Sequence, residues 1–234
     1  MKEAETLAAA TVDTRDMVVV HTALLREIRR APAAVERAAA GRSRRRRART
    51  VRHLRLILDL LEHHHAGEDR LMLPLLRGRI SRDELPAVDT GEEQHARIEG
   101  LLGDIGGALA RWSGGDHGAA PGLAAMLTAL HGALEPHLRG EETDILPLVA
   151  THLSVAEWQA VGDAGFRATP KSALVLVFGM FMAEGDPEVL RSMLAAAPAP
   201  ARVLLPRIAP AVYARRCRAV HGLDPAAGRT AKDA

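Results

Sequence analysis

The sequence predicts an all-α protein: an antiparallel up-down four-helix bundle followed by a C-terminal helical extension. Three observations lead there. Apolar residues recur at three- and four-residue spacing along most of the 234 residues, with no convincing two-residue alternation. The chain holds only 3 Phe, 1 Tyr and 2 Trp, so its core must be aliphatic, as in helical bundles. A sixteen-residue helical segment also occurs twice, each copy preceded by a further helix, which makes four.

The first helix is expected from Thr14 to Ala31, capped by Asp13 or Thr14 and interrupted at Pro32. Its inner face reads Met17, Val18, His21, Leu24, Leu25 and Ile28. A short alanine-rich piece then ends at Gly41. The second helix is expected from Arg44 to Leu73, after the basic run Arg42-Ser43-Arg44-Arg45-Arg46-Arg47, with Ile57, Leu61, His64, Glu68 and Leu71 inward. The third runs from Leu85 to Trp112 and turns His95, Ile98, Leu101, Ile105 and Leu109 inward. The fourth runs from Pro121 to Leu148 with Leu127, Leu130, Leu134, His137, Glu141 and Ile145. These make a first unit, residues 1–152.

Residues 153–234 form a helical extension. Ser154-Val155-Ala156-Glu157 reads as a capping box. Thr169-Pro170 and Asp186-Pro187 each read as an N-cap followed by proline at the first helical position, and Gly185 sits where a C-cap belongs. An Ala/Pro linker over residues 195–200 leads into a last helix, Ala201 to His221. A loose tail is expected from Leu223 to Ala234.

The repeat carries the chemistry. Leu61-Glu-His-His-His-Ala-Gly-Glu-Asp-Arg-Leu-Met-Leu-Pro-Leu-Leu76 aligns without gaps on Leu134-Glu-Pro-His-Leu-Arg-Gly-Glu-Glu-Thr-Asp-Ile-Leu-Pro-Leu-Val149, with 8 of 16 positions identical. His64 falls on His137, Glu68 on Glu141 and Pro74 on Pro147. His21 and His95 precede the two copies at nearly the same offset. Four residues are about one helical turn, so each His stacks with its Glu on one face. A bundle closing these faces brings His21, His64, Glu68, His95, His137 and Glu141 into one core. Buried carboxylates and imidazoles need partners, and metal ions supply them. A mixed N/O set suits iron, manganese or zinc, and six ligands suit two ions better than one.

Other features read as ordinary structure. His63 and His65 flank the inner face, and His65 and Glu99 stand in reserve for the site. His53, His117, His131, His152 and His221 are expected at the surface. The arginine run reads as a solvated helix start; nucleic acid is not expected as a partner, because no aromatic residues interleave. The single cysteine, Cys217, excludes an internal disulfide and a thiolate zinc site. Residues 2–16 have no apolar stretch of the signal-peptide kind, and the longest apolar run, residues 172–183, is too short to span a membrane. A cytoplasmic protein is therefore expected. No haem or nucleotide motif is present, nor a nucleophile elbow.

His21, His64-His65-Ala66-Gly67-Glu68-Asp69, His95 and His137-Leu138-Arg139-Gly140-Glu141-Glu142 together resemble the hemerythrin-like, or HHE cation-binding, domain family over about residues 12–150. The resemblance implies a four-helix bundle around two non-haem iron ions, with His21, His64, Glu68, His95, His137 and Glu141 as ligands. Oxygen-carrying hemerythrins use five histidines and two carboxylates, with a His-x3-His on the third helix. Here the residues at that spacing from His95 are Gly91 and Glu99. One imidazole is thus expected to be missing, which favours reaction or sensing over simple oxygen carriage. The implied ligands are O2, peroxide or NO, with an electron donor if the protein is an oxidoreductase. The alternatives are a redox or oxygen sensor acting through the C-terminal helices, or a di-iron oxidase with an organic substrate near residues 173–182.

Overall fold

The computed structural model describes residues 11–195 and 197–223, and among them every regular element is a helix. Helix α1 spans Arg15–Ala40 and α2 spans Arg44–Gly67, followed by a π-helical turn, Glu68–Met72, and the short α3, Leu73–Arg77. Helix α4 spans Leu85–Gly114. Helix α5 spans Ala119–Gly140 and continues through a second π-helical turn, Glu141–Ile145, into α6, Leu146–His152. The extension holds α7 (Val155–Ala168), α8 (Leu174–Met182), α9 (Pro187–Met193) and α10 (Ala199–Val220). The loose tail expected beyond Leu223 lies outside the described residues.

Helix α1 does not stop before Pro32 but runs through it to Ala40. A proline inside a helix costs about 3 kcal/mol. Ile28, Ala31, Ala34, Val35 and Ala38 on the same helix are all buried, and each fully buried aliphatic side chain of the size of Val or Ile returns about 1.5–3 kcal/mol. Packing therefore outweighs the break. Helix α2 begins as expected: Ser43 accepts a hydrogen bond from the Arg46 amide, and Arg44, Arg45 and Arg46 are exposed.

The two π-helical turns occupy matching places in the repeat. The Leu73 amide bonds back five residues to the Glu68 carbonyl, and the Leu146 amide does the same to Glu141. Pro74 and Pro147 follow immediately. Proline has no N–H and its ring clashes with the carbonyl four residues back, so the helix admits one extra residue before it. The expected continuous helices to Leu73 and Leu148 are each interrupted there.

Helix α1 packs against α5 and α2, and α4 packs against α5 and α2. The core between them includes Ile28, Leu54, Ile57, Leu61, Ile98, Ile105, Trp112, Leu127, Leu130 and Leu134. A second apolar cluster, including Met17, Met72, Leu76, Val88, Ile145, Val149 and Trp158, closes the other end. Along their helices, His21, Glu68, His95 and Glu141 fall between these two clusters: His21 between Met17 and Ala23, Glu68 between Leu61 and Met72, His95 between Val88 and Ile98, and Glu141 between Leu138 and Ile145.

The extension is joined to the same core. Helix α7 starts with the expected capping box and packs on α2 and its π turn, and the Trp158 indole donates to Asp16 Oδ1 at 3.1 Å. Asp186 caps α9 as expected, accepting from the Glu188 and Val189 amides. Thr169 instead closes α7, with its hydroxyl donating to the Gly165 carbonyl, and α8 begins only at Leu174. Helix α8 closes at Ala183 rather than Gly185. Helix α10 lies across α8 so closely that a Cβ on Gly179 would stand 2.8 Å from Tyr213 Cβ and 2.9 Å from the Ala209 carbonyl carbon. Leu176, Met180, Tyr213 and Cys217 enter the main core. The apolar stretch at residues 173–182 is thus spent on packing. No described helix is long and apolar enough to cross a membrane.

Candidate metal centre

The structure brings together all six residues singled out in the sequence. His21, Glu68, His95, His137 and Glu141 are buried, and the His64 side chain is only 9% exposed. Their Nε2 atoms face the carboxylates. His21 Nε2 lies 3.5 Å and His137 Nε2 3.6 Å from Glu141 Oε2, and His64 Nε2 lies 3.4 Å from Glu68 Oε1. His95 Nε2 is 3.6 Å from both Glu68 Oε2 and Glu141 Oε1.

His65 joins them, and this corrects the expectation of a missing imidazole. It is buried, stacks on His95 with ring centroids 4.3 Å apart, and meets His137 edge-on at 5.0 Å. His65, His95 and His137 form one group able to hold a cation; His21, His64, Glu68 and Glu141 form another. The fifth imidazole comes from α2, directly after His64, and not from α4. Glu99, the other reserve residue, is exposed, as is His63.

The outer nitrogens are held by a second set of side chains. His95 Nδ1 meets Asp69 Oδ1 at 2.6 Å, His21 Nδ1 meets Glu142 Oε1 at 3.0 Å, and His137 Nδ1 meets Gln94 Oε1 at 3.0 Å. Asp69 and Glu142 occupy matching positions of the repeat, and each braces the histidine of the other half. The doublets Glu68-Asp69 and Glu141-Glu142 therefore divide their work: the first carboxylate faces inward and the second orients an imidazole. The sequence motif contained both residues, but only the fold shows which histidine each one reaches.

Burial sets the protonation of the centre. It pushes His64 down to about 3 and His137 down to about 4, with neighbouring imidazoles adding to the effect on His64. His65 is driven lower still by the same causes. Burial and the charge of Glu141 raise the Glu68 carboxyl well above its usual range. Burial opposes ionisation of Glu141 too, but the nearby His95 and the other surrounding imidazoles outweigh it and hold Glu141 down at about 2. For His95, burial is outweighed by the nearby Glu141 carboxylate and the Asp69 hydrogen bond, which raise it. Neutral imidazoles and ionised carboxylates are the forms that bind metal.

The fit to metal rests on unpaired atoms. The Nε2 atoms of His21, His64, His65, His95 and His137, and Oε2 of Glu68 and Glu141, are buried without a hydrogen-bond partner. Each such group costs about 1–3 kcal/mol when left unmet. Seven of them converging on one layer is the arrangement expected of cation ligands, with Nδ1 atoms braced as such ligands usually are.

His53 and His221, expected at the surface, are both buried. His53 lies eleven residues before His64, three helical turns to within about 20°, and so belongs to the inward stripe of α2. That spacing was visible in the sequence. His221 follows α10, and no local pattern marks it. Both reach Glu27 on α1. The hydrogen bonds of these two histidines overcome burial and hold the Glu27 carboxyl well below its usual range.

The fold and the site thus define a helical protein with a buried His/Glu centre suited to metal cations. Residues 12–149 match the model of the hemerythrin HHE cation binding domain, and the chain belongs to that family. No curated protein and no solved structure matches the chain.

Proposed function

We propose that the protein is a hemerythrin-like di-iron protein that binds or reacts with O2, peroxide or NO, its four long helices arranged up and down around the metal layer. The observation that carries this reading is the convergence of five imidazole Nε2 atoms and two carboxylates, all buried and unpaired. His65, His95 and His137 would hold one iron and His21 and His64 the other. Glu68 and Glu141 each approach histidines of both groups and would serve as the carboxylate ligands. Two irons so held would supply two-electron redox chemistry to a small ligand. The His21/His64 side has one imidazole fewer, and the His64 side chain retains some exposure, so a small ligand is expected to enter there. Manganese or zinc is compatible with the same donors.

The protein's own residues do the rest. Asp69, Glu142 and Gln94 fix the ring orientations, and the apolar clusters on either side keep bulk water out. The test is iron loading under anaerobic conditions, metal counting, and absorption spectra on adding O2, peroxide or NO. Two irons per chain and a spectral change on ligand addition are expected. Iron content unaltered by His64→Ala and Glu141→Ala overturns the reading.

A sensing role draws on one further observation. Met180, Tyr213 and Cys217 of the extension share the core of Ile28, Leu54 and Leu61, so events at the centre have a packed route to α8 and α10. Metal- or ligand-dependent protection of α8 and α10 in hydrogen exchange favours a sensor, and steady consumption of peroxide favours an enzyme.

A further inference from the structure

The cluster of Glu27, His53 and His221 lies apart from the centre. Glu27 is six residues beyond His21 on α1 and His53 eleven before His64 on α2, which is about 9 Å and 16 Å of helix rise. All three side chains are essentially inaccessible. Glu27 Oε2 stands 2.9 Å from His53 Nε2 and 3.1 Å from His221 Nε2, and the two Nε2 atoms are 3.3 Å apart.

That triangle has the dimensions of one face of a coordination shell. An ion holding N and O ligands at about 2.0–2.2 Å separates them by about 2.9–3.5 Å, between octahedral and tetrahedral angles. As hydrogen bonds alone, the arrangement requires both Nε2 atoms to carry protons and to aim them side by side at a single oxygen. An ion removes that conflict by accepting a lone pair from each of the three atoms.

The other carboxylate oxygen is already committed. Glu27 Oε1 accepts from the Tyr213 hydroxyl at 2.5 Å and from Arg26 Nε at 3.2 Å, which fixes the carboxylate and leaves Oε2 for the ion. The Arg26 charge is shared with Glu184 at 3.1 Å, and Arg26 also donates to the Met180 carbonyl at 2.9 Å. Outer partners of this kind are usual around metal-bound carboxylates.

We propose that Glu27, His53 and His221 bind a single divalent transition-metal ion, separate from the bundle centre. Two imidazoles and one carboxylate are a zinc- or iron-type set. The ligands come from α1, α2 and the residue after α10, so the ion fastens the end of the extension to the bundle.

The experiment uses the full chain, stripped with a chelator and titrated with Zn²⁺, and with Co²⁺ as a spectroscopic probe. In a background with His64→Ala and Glu141→Gln, which disables the centre, one equivalent of zinc still binds. Adding His221→Ala or Glu27→Gln abolishes it and removes the Co²⁺ visible bands. In the otherwise unchanged chain the same two substitutions lower the metal content by one ion each, with helix content by circular dichroism unaltered. That second comparison serves if the disabled background folds poorly. Zinc binding indifferent to both substitutions overturns the proposal. The inference does not rest on the di-iron reading: metal lost on changing His64 and Glu141 reports on the centre, and metal lost on changing His221 reports on this site.

Discussion

Replacing His65 by leucine, the residue found at the matching repeat position 138, sets two effects of opposite sign against each other. In the metal-free chain His65 Nε2 is buried with no hydrogen-bond partner, a state that costs about 1–3 kcal/mol. Leucine removes that cost in a similar volume, so the stripped variant gains stability. Each kcal/mol shifts the melting temperature by about 2–4 °C in a chain of this length. With metal present the sign reverses. Loss of even an outer partner weakens metal binding by about 10–100-fold, and a direct ligand belongs at the upper end. A 100-fold weaker site forfeits about 2.7 kcal/mol of the stabilisation that bound metal provides. Differential scanning calorimetry of stripped and loaded protein therefore shows the stripped variant melting above wild type and a narrower gap between its two forms. An unchanged gap between loaded and stripped melting temperatures refutes the assignment of His65 to the centre.

Two further outcomes follow from neighbouring features. Asp69→Asn weakens the orientation of His95, and Glu142→Gln that of His21; each lowers metal affinity by about 10–100-fold in chelator competition, whereas equal affinity in both variants and wild type would show that the braces are idle. Gly179→Ala drives a methyl group into Ala209 and Tyr213, and overpacking of this kind costs about 1–3 kcal/mol, read as a lower denaturant midpoint; a midpoint equal to wild type would mean that α10 shifts freely on α8.

The sequence made the centre legible through duplication. One His-x3-Glu on an apolar face says little, but His64/Glu68 and His137/Glu141 at matching positions, with His21 and His95 ahead of them, leave few other uses for buried polar atoms. His65 stayed in reserve because successive residues on a straight helix point about 100° apart, and helix-face reasoning assigns only one of a neighbouring pair. The π turns escaped because apolar periodicity continues across them; Pro74 and Pro147 were the available signal. His53 was within reach of the eleven-residue spacing to His64, but His221 was not. Its partner Glu27 lies 194 positions away, and no local pattern encodes a contact of that range. The course of α1 through Pro32 shows the same limit from the other side, since a local breaker yielded to packing along the rest of the helix.

The crosswise bracing of the centre also bears on when it comes into being. Asp69 reaches His95 across 26 positions and Glu142 reaches His21 across 121. Neither half of the repeat orients its own leading histidine. During synthesis, the first His-x3-Glu leaves the ribosome long before Glu142 is made, and His21 waits unbraced until it arrives. The cluster therefore cannot be complete until the second copy of the repeat has been made, and a shorter growing chain holds only fragments of it.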